Sequence, residues 1–127
     1  MINTLNIGKY IYSALNDSEE ITCKVYPLIA DNDAKYPFIV YRRINLVSNS
    51  SKDGIYEDNT IVEIVIVSDK YSVGVDIATE VRNLLEKQSV IYDDLEINDT
   101  TLSLAAEEYS NNAYVQRLQF TFKINKH

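Results

Sequence analysis

The 127-residue sequence has no tryptophan, one cysteine, one histidine, two prolines and three glycines. Cys23 alone cannot close an intrachain disulfide, and small secreted domains usually carry an even cysteine framework, so a reducing, cytoplasmic setting is expected. The one histidine is His127, where a frayed terminus would not hold a Cys-His or Ser-His pair in register. Glycines at 8, 54 and 74 draw no phosphate-binding loop, and no Cys/His set has zinc spacing, so no cofactor and no metal is expected. Apolar runs such as Ile64-Val65-Ile66-Val67 fall far short of the roughly 20 residues of a membrane helix. The start, Met-Ile-Asn-Thr-Leu-Asn-Ile-Gly-Lys, lacks the basic and apolar parts of a signal peptide, so a soluble chain with no membrane partner is expected. Cations are also scarce: 12 Lys and Arg against 19 Asp and Glu leave a net charge of −7, which disfavours binding driven by nucleic-acid phosphates.

What is present is a 46% hydrophobic chain of a length that suits one domain with a real core. Ile7, Ile11, Ala14 and Leu15, with Tyr10 beside them, recur at helical spacing and predict a short amphipathic helix over 6–16. Ile21, Cys23 and Val25 alternate with polar residues and predict a strand ending at Pro27, followed by a loop over 31–35. Pro37 opens the strand Phe38-Ile39-Val40-Tyr41-Arg42-Arg43-Ile44, since proline is tolerated where a strand begins. A polar turn segment over 48–53, ending in Asp53-Gly54, and a β-branched strand over 60–67 complete a long hairpin. Over 71–88 the period changes, and Val73, Ile77, Val81, Leu84 and Leu85 share one helical face, with Ser68 and Asp69 as capping candidates. Weak strand patterns follow near 89–92 and 101–106. A clear one then alternates Leu118, Phe120, Phe122 and Ile124 with Arg117, Gln119, Thr121 and Lys123. The fold class read is α+β, a mostly antiparallel sheet with a long β-hairpin and two helices in the order α-β-β-β-α-β-β.

Catalytic patterns are lacking. Asp93-Asp94 and Glu107-Glu108 are adjacent carboxylates, but neighbours on a strand point to opposite faces, so they read as solvated turn and strand-end charges. Ten tyrosines suit half-buried core, rim or interface positions, because the ring buries while the hydroxyl stays hydrogen-bonded. One strand resists the plain reading. Val62, Ile64 and Ile66 form one apolar face of it, and Ile61, Val65 and Val67 form a second around Glu63. A sheet with helices on one side normally shows water a polar second face, so another subunit is expected to cover this one. Arg42 and Arg43 put one arginine on each face of the partner strand. They serve either as a cross-strand pair with an acid such as Glu63 or as an intersubunit charge contact. The candidate subunit interface is therefore Arg42, Arg43, Ile61, Glu63, Val65 and Val67.

A family resemblance rests on the order of these elements. Val25-Tyr26-Pro27, then Tyr36-Pro37-Phe38-Ile39-Val40-Tyr41, a hairpin, the apolar strand ending Ile66-Val67-Ser68-Asp69, the helix over 71–88 and a final β pair resemble the small tail-completion, or tail-terminator, proteins of long-tailed bacteriophages and prophages. The likeness covers nearly the whole chain, 1–127, as one domain. It implies a structural protein without catalytic residues that forms a homo-oligomeric, usually hexameric, ring. Such a ring caps the tail tube, stops its polymerisation and offers a surface to the head connector. The implied partners are the tail tube protein and a head-closure or connector protein, with DNA passing through the ring without specific binding. The implied location is the virion tail or neck, assembled in the bacterial host cytoplasm. Another head-to-tail neck protein, such as a head-closure or adaptor component, and a small ligand-binding α+β domain are the alternatives. The hairpin tip over 48–57, with Asn49, Lys52, Asp53, Ile55 and Tyr56, is too polar to bury against its own domain yet carries an apolar pair, and is expected to be a partner-contacting arm.

Overall fold

A computed structural model of the protein describes residues 3–50 and 56–125. After a 3-10 turn at Thr4–Asn6, the elements are α1 (Ile7–Asn16), β1 (Lys24–Pro27), β2 (Phe38–Ser50), β3 (Tyr56–Ser68), α2 (Tyr71–Leu85), β4 (Gln88–Tyr92), β5 (Leu95–Ser110) and β6 (Ala113–Asn125). The strands form one six-stranded sheet in the order β1-β2-β3-β6-β5-β4. The pairing of β1 with β2 is parallel and every other pairing is antiparallel.

The burial pattern explains why each segment takes its form. In α1 the buried residues Ile7, Tyr10, Ile11 and Leu15 keep the three-and-four spacing of one helical stripe. α2 buries Gly74, Ala78, Val81 and Leu85 in the same way. Both stripes rest on one face of the sheet, built from Ile39 and Tyr41 of β2, Val62, Ile64 and Ile66 of β3, and Leu118, Phe120, Phe122 and Ile124 of β6. The period of two on each strand thus places every second side chain under the helices. Phe120 and Phe122 are fully buried, their rings 6.5 Å apart between centroids.

Several boundaries differ from those expected of the sequence. Three strands follow α2 rather than two, because Gln88–Tyr92 is a strand of its own that pairs back on β5. The weak strand pattern expected near 89–92 falls on this strand, which the expected order of elements left out. The first strand starts at Lys24, not Ile21, although Ile21 is buried in the core. The hairpin is longer than the strands expected over 38–44 and 60–67, since residues 45–50 and 56–59 still pair across it. α2 ends at Leu85, short of Gln88, because the chain must turn there to enter β4. Neither Ser68 nor Asp69 caps α2. The N-cap position is Lys70, without a side-chain cap, and the Ser68 hydroxyl accepts the Lys70 N–H at 3.1 Å instead.

The C-terminal end of α2 is tied to β5 by Glu86. Its carboxylate accepts the Leu102 N–H at 2.7 Å and the Arg82 Nε–H at 2.8 Å. The Leu102 amide, and after it Arg82, hold the Glu86 carboxyl below the usual carboxylate range. β5 and β6 are joined by Asn111-Asn112, both at positive φ (52° and 63°), as a two-residue turn matched to the strand twist requires. Replacing Phe120 by alanine should lower the unfolding free energy by about 3–5 kcal/mol through loss of buried area and the cavity left behind. Ile44→Ala, at a position 40% exposed, should stay within about 0.5 kcal/mol of the parent when both variants are unfolded in urea.

Candidate subunit interface

The face of the sheet turned away from α1 and α2 holds most of the residues expected at an interface. Arg42 lies opposite Glu63, Val40 opposite Val65 and Phe38 opposite Val67 in the β2–β3 register. On the far side of β3, Ile61 lies opposite Thr121, Glu63 opposite Gln119 and Val65 opposite Arg117. Directly opposed residues of an antiparallel pair share a face, so Arg42, Ile61, Glu63, Val65 and Val67 lie together. Ile61, Val65 and Val67 are half-buried, in contrast to Val62, Ile64 and Ile66 beneath the helices. Arg43 is on the helix-bearing face, where its Nη1 donates to the Leu5 carbonyl at 3.3 Å.

Glu63 is the electrostatic centre of this face and only 7% exposed. Its Oε1 accepts from Arg42 Nε at 3.3 Å and lies 3.7 Å from Arg117 Nη1, and its Oε2 accepts from Gln119 Nε2 at 3.3 Å. Arg117 in turn donates through Nε to Glu108 at 2.6 Å. An ion row therefore runs obliquely over four adjacent strands: Glu108 on β5, Arg117 on β6, Glu63 on β3 and Arg42 on β2. A charge as buried as Glu63 requires partners that fill its lone pairs, and three neighbours on two strands do so. Both arginines keep about half of their side chains in water, which makes each pair individually weak.

Beside this row the chain leaves β1 through a tight γ-turn. The Ile29 N–H bonds back to the Pro27 carbonyl at 2.7 Å, and Leu28 sits between them at φ 66°. Leu28 and Ile29 are 72% and 77% exposed and overhang a hollow of about 340 Å³ whose floor includes Val40, Glu63 and Val65. A branched side chain such as leucine enters the left-handed region only where its surroundings hold it, and the Leu28 N–H to Tyr41 carbonyl bond of 2.8 Å is one such restraint.

Glu107 and Glu108 do diverge, as neighbours on a strand must. Glu108 joins the ion row, while Glu107 accepts from Gln116 Nε2 and the Tyr71 hydroxyl, each at 2.9 Å, on the helix side. Tyr71, Tyr109 and Tyr114 pack edge to face around it. The Gln116 and Tyr71 hydrogen bonds hold the Glu107 carboxyl below its usual range, and the same carboxylate pushes the Tyr71 phenol up. Asp93-Asp94 forms the exposed turn between β4 and β5. At the hairpin tip, Asn49 and Tyr56 belong to paired strands, whereas Lys52, Asp53 and Ile55 lie outside the described residues, as does His127. Among the described residues no group of three His, Cys, Asp or Glu side chains converges as a metal site would need, and no helix is long and apolar enough to cross a membrane.

Arg117, Gln119 and Glu108 were not foreseen as members of this cluster. The alternation in β6 places Arg117 and Gln119 on the polar face, but their meeting with Glu63 depends on the β3–β6 register, which joins segments more than fifty residues apart. The exposed Leu28-Ile29 pair was also missed; its one local signal is two large apolar residues directly after Pro27.

No protein-family model and no curated protein matches the chain. Among solved structures, it is similar to a chain of the virion of a native gene transfer agent (GTA) particle, with a TM-score of 0.69. The match covers 91% of this chain and 90% of that one at 12% sequence identity, so what the two share is the fold.

Because Glu86 and Glu107 titrate below their unfolded values, the stability they contribute is complete above the unfolded carboxyl value of about 4.3 and is lost as pH falls through their lower folded values. The urea midpoint should therefore decline below about pH 4.5. A Glu107→Gln variant should decline less steeply over the same window.

Proposed function

We propose that this chain is a non-enzymatic structural component of a phage-like virion: a tail terminator that caps the tail tube as a homo-oligomeric ring of six copies. It ends tube polymerisation and offers the head-closure or connector protein a surface to attach to. The observation that carries the reading is the fold shared, over nine-tenths of both chains, with a chain of a gene transfer agent virion. The half-buried apolar second face of the sheet supports it, since a monomer would leave that face wet. The net charge of −7 suits a lumen through which DNA slides, because like charges keep the duplex from sticking. In this reading Arg42, Arg43, Ile61, Glu63, Val65 and Val67 belong to the contact between copies. The tip of the β2–β3 hairpin reaches a neighbouring subunit or the tube. Assembly takes place in the bacterial host cytoplasm, and the finished ring sits in the tail or neck.

Electron microscopy of the protein incubated with tail tubes tests the proposal. Rings seated on one end of tubes that then stop elongating are expected. Rings bound only at the head portal would make the chain a head-closure or adaptor component instead, and absence of any ring or tube contact would favour a ligand-binding domain.

Val65→Asp should abolish ring formation while the variant keeps the parent's circular dichroism; recovery of no folded monomer would assign that face to ordinary core. Exchanging residues 49–56 for a short Gly-Ser linker should leave the melting temperature near the parent's and impair attachment to tubes. Normal attachment by that variant would remove the hairpin tip from the contact.

A further inference from the structure

The two outer strands cover only part of the long strands beside them, and they do so at opposite ends. β1 pairs with β2 from Phe38 to Tyr41, leaving the outer edge of β2 without a strand partner over 42–47. β4 pairs with β5 from Leu95 to Asp99, leaving the outer edge of β5 without one over 103–110. Bare edges of this length expose rows of backbone donors and acceptors, and soluble proteins ordinarily cover or break them. Here the two edges are complementary. β2 and β5 run in opposite directions within the sheet, so the β2 of one copy and the β5 of a second copy, set side by side in a continuous sheet, meet as an antiparallel pair.

Side chains on the two edges match face by face. The ion row of the open face ends in Arg42 at the β2 edge and in Glu108 at the β5 edge, so a second copy's Glu108 set opposite Arg42 continues the alternation of charge without a break. The same register sets Arg43 opposite Glu107, both on the helix-bearing face. Past the bulge between Arg43 and Asn45 it sets Val47 opposite Leu104, two apolar residues of the open face that are 54% and 47% exposed. Arg42 bonds through Nε and Glu108 through Oε1, which leaves each with unused hydrogen-bonding capacity.

The offset between the edges is what a closed ring needs. Arg42 is level with Leu104 within one copy, through Glu63 and Gln119, so placing it opposite a neighbour's Glu108 displaces the copies by four residues. Four residues at about 3.3 Å against four strands at about 4.8 Å is a slope of about 35°. Closed barrels tilt their strands by about 35–45°. We propose that neighbouring copies join edge to edge, the 42–47 segment of β2 pairing antiparallel with the 104–108 segment of β5 of the next copy, with Arg42 facing Glu108 and Arg43 facing Glu107. This deepens the ring reading above and rests on it: Arg42 and Arg43 of the contact named there lie in the seam itself, and Ile61, Glu63, Val65 and Val67 of the inner strand β3 lie on the open face beside it.

A charge exchange tests the seam. One variant carries Arg42→Glu with Arg43→Glu, and a second carries Glu107→Arg with Glu108→Arg. Each alone should lose ring formation, alone and on tail tubes, while an equimolar mixture should regain it, since copies can then alternate around an even-membered ring. Circular dichroism and thermal melts establish that both variants fold. In a parallel arm, Arg42→Cys with Glu108→Cys in a Cys23→Ser background should oxidise to a ladder of covalent oligomers ending at the closed ring. Rings formed by either charge variant on its own, or rings of the double-cysteine protein that yield no ladder, would overturn the edge pairing and leave the terminator reading standing. Failure of the wild-type chain to form any ring, with or without tubes, would overturn both.

Discussion

The full-length pairing of β3 with β6 is the constraint on which the rest of the molecule depends. Twelve consecutive residue pairs, from Glu57–Asn125 to Ser68–Tyr114, lock the register of the two central strands. One residue of slip would carry Phe120 and Phe122 to the other face and bring Arg117 under the helices, exchanging buried area for a buried charge. With the register fixed, every second side chain of both strands forms the floor on which α1 and α2 rest. The alternate set is left to build the ion row. The helices and the open face are thus two consequences of one pairing.

The ion row shows how an acidic group can sit in the middle of an otherwise apolar strand. Glu63 would be costly between Ile61 and Val65 if it stood alone, because desolvation of a carboxylate outweighs one exposed salt bridge. It is tolerated because Arg42 and Arg117 reach it from both neighbouring strands with long side chains whose ends remain in water, and because the Gln119 amide satisfies the second oxygen. The pairs are weak one by one, but their order along the sheet is specific. It gives the face a direction, positive at one edge and negative at the other, that neutral residues would not provide.

Much of the fold was legible because local period and burial agree. The helical stripe of Ile7, Ile11 and Leu15, the alternation of Leu118, Phe120, Phe122 and Ile124, and the two-sided apolar character of 61–67 each appear in the structure as the pattern predicts. What escaped was set by distant partners. The weak pattern over 89–92 is made a full strand by β5 beside it, and the expected order of elements left it out. The ends of the hairpin are held by pairing, and the end of α2 by the need to turn into β4. For the candidate site, the gathering of Arg42, Ile61, Glu63, Val65 and Val67 on one face follows from alternation along each strand. The recruitment of Arg117 and Glu108 needed the order of strands across the sheet, which no local period carries. The Leu28 turn was invisible for another reason, since a left-handed leucine contradicts its own residue preference and is held there by β2.

The position of β6 also bears on how the chain reaches its native state. β6 follows β3 and β5 in sequence yet lies between them, so during synthesis the two-sided apolar strand β3 waits, with its inner edge unpaired, until the last described strand has emerged. Such non-local closure is slow, and an apolar edge held open through it invites pairing with another nascent chain. Chaperone demand and the temperature dependence of soluble yield should therefore be governed by the interval between synthesis of β3 and of β6, more than by the stability of the finished domain.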